Sequence, residues 1–140
     1  MSDAADCVFC AIVAGTRPAD VVLREDAAVA FLDAKPLFKG HVLVVPRAHV
    51  ATLPDLATDA LAPLFGAVQR VARAVETGLG AHGSFVALNN KVSQSVPHLH
   101  VHVVPRRRKD GLRGFFWPRE PYRDDAERED FAARIKGAIR

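Results

Sequence analysis

A chain of 140 residues with 49% hydrophobic and 25% charged residues fits one ordinary folded domain rather than a disordered or low-complexity protein. The formal charge of +3 is mild: it suits an anionic ligand without indicating nucleic acid. No run of about 18 apolar residues occurs, so no transmembrane helix is expected.

Taken in chain order, Met1 to Asp6 carries acids rather than a basic stretch leading into an apolar one. That argues against a secretory signal and makes the cytoplasm the expected location. Cys7 and Cys10 are the only thiols, so a structural disulfide is not expected, and metal binding or redox chemistry remain open. From Cys7 to about Ala14 the chain reads as a short turn or helix, ended by Gly15 with Pro18 beyond. Val21 to Arg24 and Val29 to Leu32 read as short strands around a Glu25-Asp26 turn. Val42 to Val45 is a buried strand stopped by Pro46.

The clearest helix follows. Leu61, Leu64, Phe65, Val68, Val71, Ala72, Val75 and Leu79 recur at steps of three and four and so share one face. Thr58 is the expected N-cap, and Gly78 and Gly80 are stop signals. Phe85 to Leu88 is a further strand, and His98 to Val104 another, closed by Pro105. A tail helix is expected from about Asp125 to Ile139, with Phe131, Ile135 and Ile139 facing inward. Short links between the early strands favour antiparallel pairing. The expectation is an α+β fold: a single antiparallel sheet of about five strands, with one long helix packed on it and a C-terminal helix. We expect one domain over residues 1–140, with a core at about 7–105 and a C-terminal extension over 106–140.

Pro97-His98-Leu99-His100-Val101-His102-Val103-Val104-Pro105 is the most informative stretch. Strand side chains alternate, so His98, His100 and His102 project from one face, and Leu99, Val101 and Val103 project into a core on the other. Three imidazoles on one face are a poor packing solution, because each brings ring nitrogens that need partners. The spacing points to a metal site or to catalysis, and by itself leaves the two open.

The stretch resembles the signature of the histidine triad superfamily, His-φ-His-φ-His-φ-φ with φ apolar, at every position from His98 to Val104. The resemblance extends to Cys7-Val8-Phe9-Cys10 with Ile12, to Phe31-Leu32-Asp33, and to Gly40-His41-Val42-Leu43-Val44-Val45-Pro46 with His49. Asn89-Asn90 and Gln94-Ser95-Val96 continue it toward the triad. It implies that His100 is a nucleophile that attacks the α-phosphorus of a nucleotide, forming a nucleotidyl-imidazole that water or another acceptor then resolves. Neutral imidazole is abundant near neutral pH, its ordinary pKa being about 6.5. A covalent intermediate also divides one difficult displacement into two easier ones.

By the same resemblance His102 donates to a phosphate oxygen, Ser95 places a hydroxyl near the leaving group, and Gln94 and Asn89 hold phosphate oxygens. Asp33 accepts from the ribose hydroxyls, and Phe31 flanks the base. Two cysteines leave a four-ligand zinc site in need of two further ligands. The zinc-containing branch of the family implies that these are His49 and His98, giving a closed structural zinc site of Cys7, Cys10, His49 and His98. His41 and His82 are read as structural or surface residues.

The implied activity is hydrolysis of nucleoside phosphoramidates or related nucleotide conjugates. Alternatives are a dinucleoside polyphosphate hydrolase or nucleotidyltransferase, a nucleotide-binding protein with vestigial catalysis, and an enzyme whose zinc does the chemistry. The family implies a homodimer. The basic run Arg106-Arg107-Arg108-Lys109 reads as a solvated loop or a lure for polyphosphate, and the aromatics Phe115, Phe116 and Trp117 as core, dimer contact or lid. Two departures from the family pattern stand beside the expected phosphate site: Ser93 replaces a glycine, and the Asn89–Gln94 stretch is about two residues short, where glycine would let backbone approach closely.

Overall fold

The computed structural model describes residues 4–113 and 118–140. The chain forms two compact units, one up to Asp110 and one from Gly111 onward.

In the first unit, Cys7 caps helix α1 (Val8–Ala14) by accepting from the Cys10 N–H. Gly15, with φ of 81°, ends the helix in the left-handed region that glycine enters without strain. Strands β1 (Val21–Arg24), β2 (Ala28–Leu32) and β3 (Val42–Pro46) form an antiparallel meander. Helix α2 (Leu61–Leu79) follows, then β4 (Gly83–Ala87) and β5 (Val101–Arg106). The chain inserts β5 between β3 and β4, so the sheet order is β1-β2-β3-β5-β4, with every pairing antiparallel.

Each face of the sheet carries its own core, because alternate residues point opposite ways. Ala28, Ala30, Val42, Val44, Leu99, Val101 and Val103 meet Leu64, Ala67, Val68, Val71 and Val75 of α2. On the opposite face Val29, Phe31, Leu43 and Val45 pack with Cys7, Phe9 and Ile12 at α1. Burying one such aliphatic side chain stabilises the fold by about 1.5–3 kcal/mol.

Several sequence expectations change in detail. The triad strand starts at Val101 rather than His98, since the Leu99 N–H bonds to the Val50 carbonyl outside the sheet ladder. It also runs through Pro105, which pairs with Ser84. Pairing of β5 with β3 ends at Val103, so a residue without an N–H leaves no partner there unsatisfied. Thr58 opens a short 3-10 turn (Thr58–Ala60), and Ala60 takes the N-cap position of α2 without a side-chain bond. The buried stripe of α2 is narrower than expected, for Leu61, Phe65 and Leu79 are exposed.

Arg107 donates to the carbonyls of Leu79 and Gly80, placing a cation where the end of α2 concentrates partial negative charge. Arg106 pairs with Asp110. These two members of the basic run are therefore structural.

The second unit contains α3 (Asp125–Ala138), capped by Asp124, which accepts from the Glu127 N–H. Phe131, Ile135 and Ile139 do not face inward: they are 42%, 62% and 73% exposed. The reason lies in composition. Charged residues surround the helix and pair along it, as Arg128 with Asp125 and Arg134 with Asp130, so no continuous apolar stripe exists. Phe131 instead meets Tyr122 edge to face and lies under the Arg134 guanidinium. The aromatics Phe115, Phe116 and Trp117 lie outside the described residues.

Candidate active site

The alternation read from the triad holds in three dimensions. Leu99, Val101 and Val103 enter the α2 core, while the rings of His98 and His100 each meet Phe9 edge to face on the other side. His100 and His102 lie with ring centroids 5.1 Å apart. Register places Phe31, Leu43 and His102 in one row across β2, β3 and β5.

Hydrogen bonds then assign each ring its protons, because a carbonyl can only accept and a backbone N–H can only donate. His100 Nδ1 donates to the His98 carbonyl at 2.7 Å, which leaves Nε2 with a free lone pair. The Leu37 N–H donates to His41 Nδ1 at 3.0 Å, so His41 carries its proton on Nε2. That proton is donated to His102 Nδ1 at 2.9 Å, and His102 in turn carries its own proton on Nε2. One imidazole thus offers a lone pair while its neighbour offers a donor. A nucleophile beside a donor for an oxyanion is the arrangement that attack on phosphorus requires.

Electrostatics agree with neutral rings. Burial pushes His102 down to about 4, helped by His100 and His41 and opposed by the Asp33 carboxylate. Burial likewise lowers His41, again against Asp33. Burial lowers His98 too; its bond to the Pro46 carbonyl works the other way.

His100 and His102 line a cavity of about 840 Å³, a size suited to a small organic ligand. Phe9, Ile12, Phe31 and Leu43 form its apolar floor, and Asp33 and Ser95 stand at its wall. The Asp33 carboxylate is held by the Lys35 N–H at 2.9 Å on one oxygen and lies 3.7 Å from His41 Nε2 on the other. Of the residues expected at the substrate site, Phe31, Asp33, Ser95, His100 and His102 are brought together here. Asn89 and Gln94 are not among the lining residues. Asn89 donates to the Ser93 carbonyl, and Gln94 donates to Ala51 O while accepting from the Lys91 N–H. Both amides hold the shortened loop. Within this loop Lys91 and Ser93 adopt φ of 69° and 61°, a region where glycine is the unstrained residue.

Beside the cavity lies a second constellation. Cys7 Sγ, Cys10 Sγ and ligand nitrogens of His49 and His98 lie within 4.8 Å of one another. The His98 Nδ1 to Cys7 and Cys10 distances are 3.4 and 3.5 Å, and His49 Nδ1 lies 3.3 Å from Cys10 Sγ. Tetrahedral zinc with bonds of about 2.0–2.3 Å sets its ligand atoms roughly 3.3–3.8 Å apart, so the four donors fit such an ion. His98 Nε2 donates to the Pro46 carbonyl at 2.9 Å, which frees Nδ1 to ligate and fixes the ring, the usual outer support of a metal-bound histidine. Without an ion, burial and the adjacent Cys7 push the Cys10 thiol up to about 11. Asp33, His41 and His102 also cluster closely enough for an ion. Their contacts are already accounted for by the hydrogen-bond chain.

Sequence reading missed His41. It is buried and holds the tautomer of His102, and parity along β3 would have found it. Residues 41, 43 and 45 share a face, and Leu43 stands opposite His102. His82 is exposed and accepts from the Arg108 N–H.

Comparison with known proteins agrees with this geometry. The HIT domain model matches residues 14–109. The adenosine 5'-monophosphoramidase hnt1 of Schizosaccharomyces pombe is 32% identical, covering 93% of this chain and 98% of that protein. A crystal structure of a HIT family member from Bacillus subtilis superposes with a TM-score of 0.87 at 31% identity, covering 96% of this chain and 98% of the other. A Zn-bound histidine triad family protein from Mycobacterium smegmatis gives 0.74 at 36% identity, covering 98% and 100%. On fold, motif and sequence alike, this chain belongs to the HIT domain family.

Proposed function

We propose that this protein is a nucleotide hydrolase that cleaves at the α-phosphorus of nucleoside phosphoramidates or related nucleotide conjugates, through a nucleotidyl-His100 intermediate. The carrying observation is the pair of tautomers at two residues that line the cavity: His100 with Nε2 unprotonated and His102 with Nε2 protonated. Similarity to the fission-yeast monophosphoramidase supports the substrate class.

In the first step the His100 Nε2 lone pair forms a bond to phosphorus as the bond to the leaving amine breaks. The departing nitrogen takes a proton from the Ser95 hydroxyl, which is reprotonated from solvent water. The His102 N–H donates to a nonbridging oxygen and stabilises the charge that gathers there. In the second step water attacks the same phosphorus and gives up a proton to solvent as the P–N bond to His100 breaks, so the nucleoside monophosphate leaves and neutral His100 is restored. Asn89 and Gln94 hold the phosphate-side loop, Asp33 accepts from the ribose hydroxyls, and Phe31 packs on the base.

Cys7, Cys10, His49 and His98 would hold one zinc ion, a reading supported by the donor spacing and by the zinc-bound relative. Bound there, zinc supplies a structural cross-link and no open coordination position. His98 also provides the carbonyl that orients His100, so the metal-holding residues and the nucleophile share one stretch of backbone. On the same reading the protein acts as a cytoplasmic homodimer.

The test is a mass spectrum of protein quenched during turnover of adenosine phosphoramidate. A nucleotidyl adduct should map to His100, and His100→Ala should lower turnover by about 1000-fold or more. Equal release of nucleotide by wild type and variant would overturn the proposal. Faster turnover of a diadenosine polyphosphate than of the phosphoramidate would move the substrate class.

A further inference from the structure

One end of the reaction cavity carries charge that the chemistry at phosphorus does not use. Arg17, Pro18, Ala19 and Asp20, all exposed, line the same cavity as Phe9 and Ile12. The backbone here is tied at both ends: the Arg17 N–H donates to the Ala11 carbonyl, and the Asp20 carbonyl accepts from the Leu32 N–H. Pro18 stiffens the segment further. The side chains of Arg17 and Asp20 make no hydrogen bond or ion pair among the described residues, with each other or elsewhere. This rim therefore brings a guanidinium and a carboxylate, three positions apart in sequence and without a side-chain partner among the described residues, to the cavity that Phe9 and Phe31 line.

We propose that this rim reads the edge of the substrate's base and makes the enzyme prefer guanine to adenine. The inference rests on the nucleotide reading above and deepens it. A planar base packed on Phe31, with Phe9 and Ile12 beside it, would turn its edge to this rim. Guanine offers a carboxylate two adjacent donors, N1–H and the N2 amino group, and offers a guanidinium the O6 acceptor beside them. Adenine replaces O6 by an amino group and has no N1–H, so it can give Asp20 one donor only. A bidentate match of this kind discriminates between bases by about tenfold or more.

The experiment compares kcat/KM for guanosine and adenosine 5'-phosphoramidates with the full-length chain. Guanosine should lead by about tenfold, and Arg17→Ala and Asp20→Ala should each bring the ratio toward unity. Arg17→Lys, which keeps the charge but loses the planar fork, should keep part of the preference. A role confined to structure would lower both values together and leave the ratio unmoved. Equal values in wild type, a preference for adenosine, or a ratio that survives both alanine substitutions would overturn the proposal. Should neither phosphoramidate turn over, the hydrolase reading fails. The base preference is then decided by equilibrium binding of GMP against AMP: tenfold tighter GMP supports it, and equal or absent binding overturns it.

Discussion

From His98 to Val103 a single stretch of backbone separates two unlike environments. Leu99, Val101 and Val103 are at most 1% exposed and pack in the apolar core against α2. His98, His100 and His102, interleaved with them, face α1 and the cavity, and each satisfies a ring nitrogen with a named partner. The first side depends on volume and is indifferent to which aliphatic atom fills it. The second depends on direction, because one lost donor leaves a buried ring in the wrong tautomer. Stability and chemistry are thus built back to back, and perturbing either face should affect one far more than the other.

Leu99→Ala should produce the largest change in stability. Urea unfolding should report a loss of about 3 kcal/mol, while turnover per folded molecule stays within about twofold. Loss of turnover at an unchanged folded fraction would break the separation of the two faces.

The imidazole side should respond to pH. His102 titrates at about 4 when folded and near the ordinary value of 6.5 when unfolded. Between these values the unfolded chain binds the extra proton, so stability is full above about pH 6.5 and falls as pH drops toward 4, by about 3 kcal/mol. His102→Asn should flatten that part of the urea-midpoint profile; an unchanged slope would show that the loss arises elsewhere.

His41→Ala should separate orientation from packing. It removes the donor that holds His102, so kcat should fall about tenfold with KM little changed. The His102 imidazole should also titrate at higher pH, as NMR of its ring would show, since a neighbour that lowers it is gone. A change in KM alone would assign His41 to substrate binding.

Ser93→Gly lies on neither face and should have the smallest effect. It relieves a left-handed backbone worth about 1–2 kcal/mol and adds unfolded-chain entropy of about 0.4–1 kcal/mol. A net gain of about 0.5 kcal/mol in thermal unfolding is expected.

Much of this was legible because it is local. A continuous apolar run stopped by Pro46 located β3, alternation of imidazoles and aliphatics located the triad, and steps of three and four located α2 within a residue or two. The substitution of Ser93 for glycine drew notice as a departure from the family pattern, but its left-handed backbone emerged only in the structure. The tail helix misled because three apolar residues at helical spacing suggested an inward face that its charged surroundings do not support.

The chain's own pattern determined which residues share a surface: the three imidazoles, the aliphatics behind them and the buried stripe of α2. Only tertiary structure decided which surfaces meet. His41 and His102 are 61 positions apart, and register between β3 and β5 brings them together. The four possible metal ligands come from three separate segments, and Arg17 and Asp20 reach the cavity because α1 folds back over the sheet. Periodicity is a property of a few consecutive residues, whereas pairing of distant strands depends on the whole chain closing around two cores.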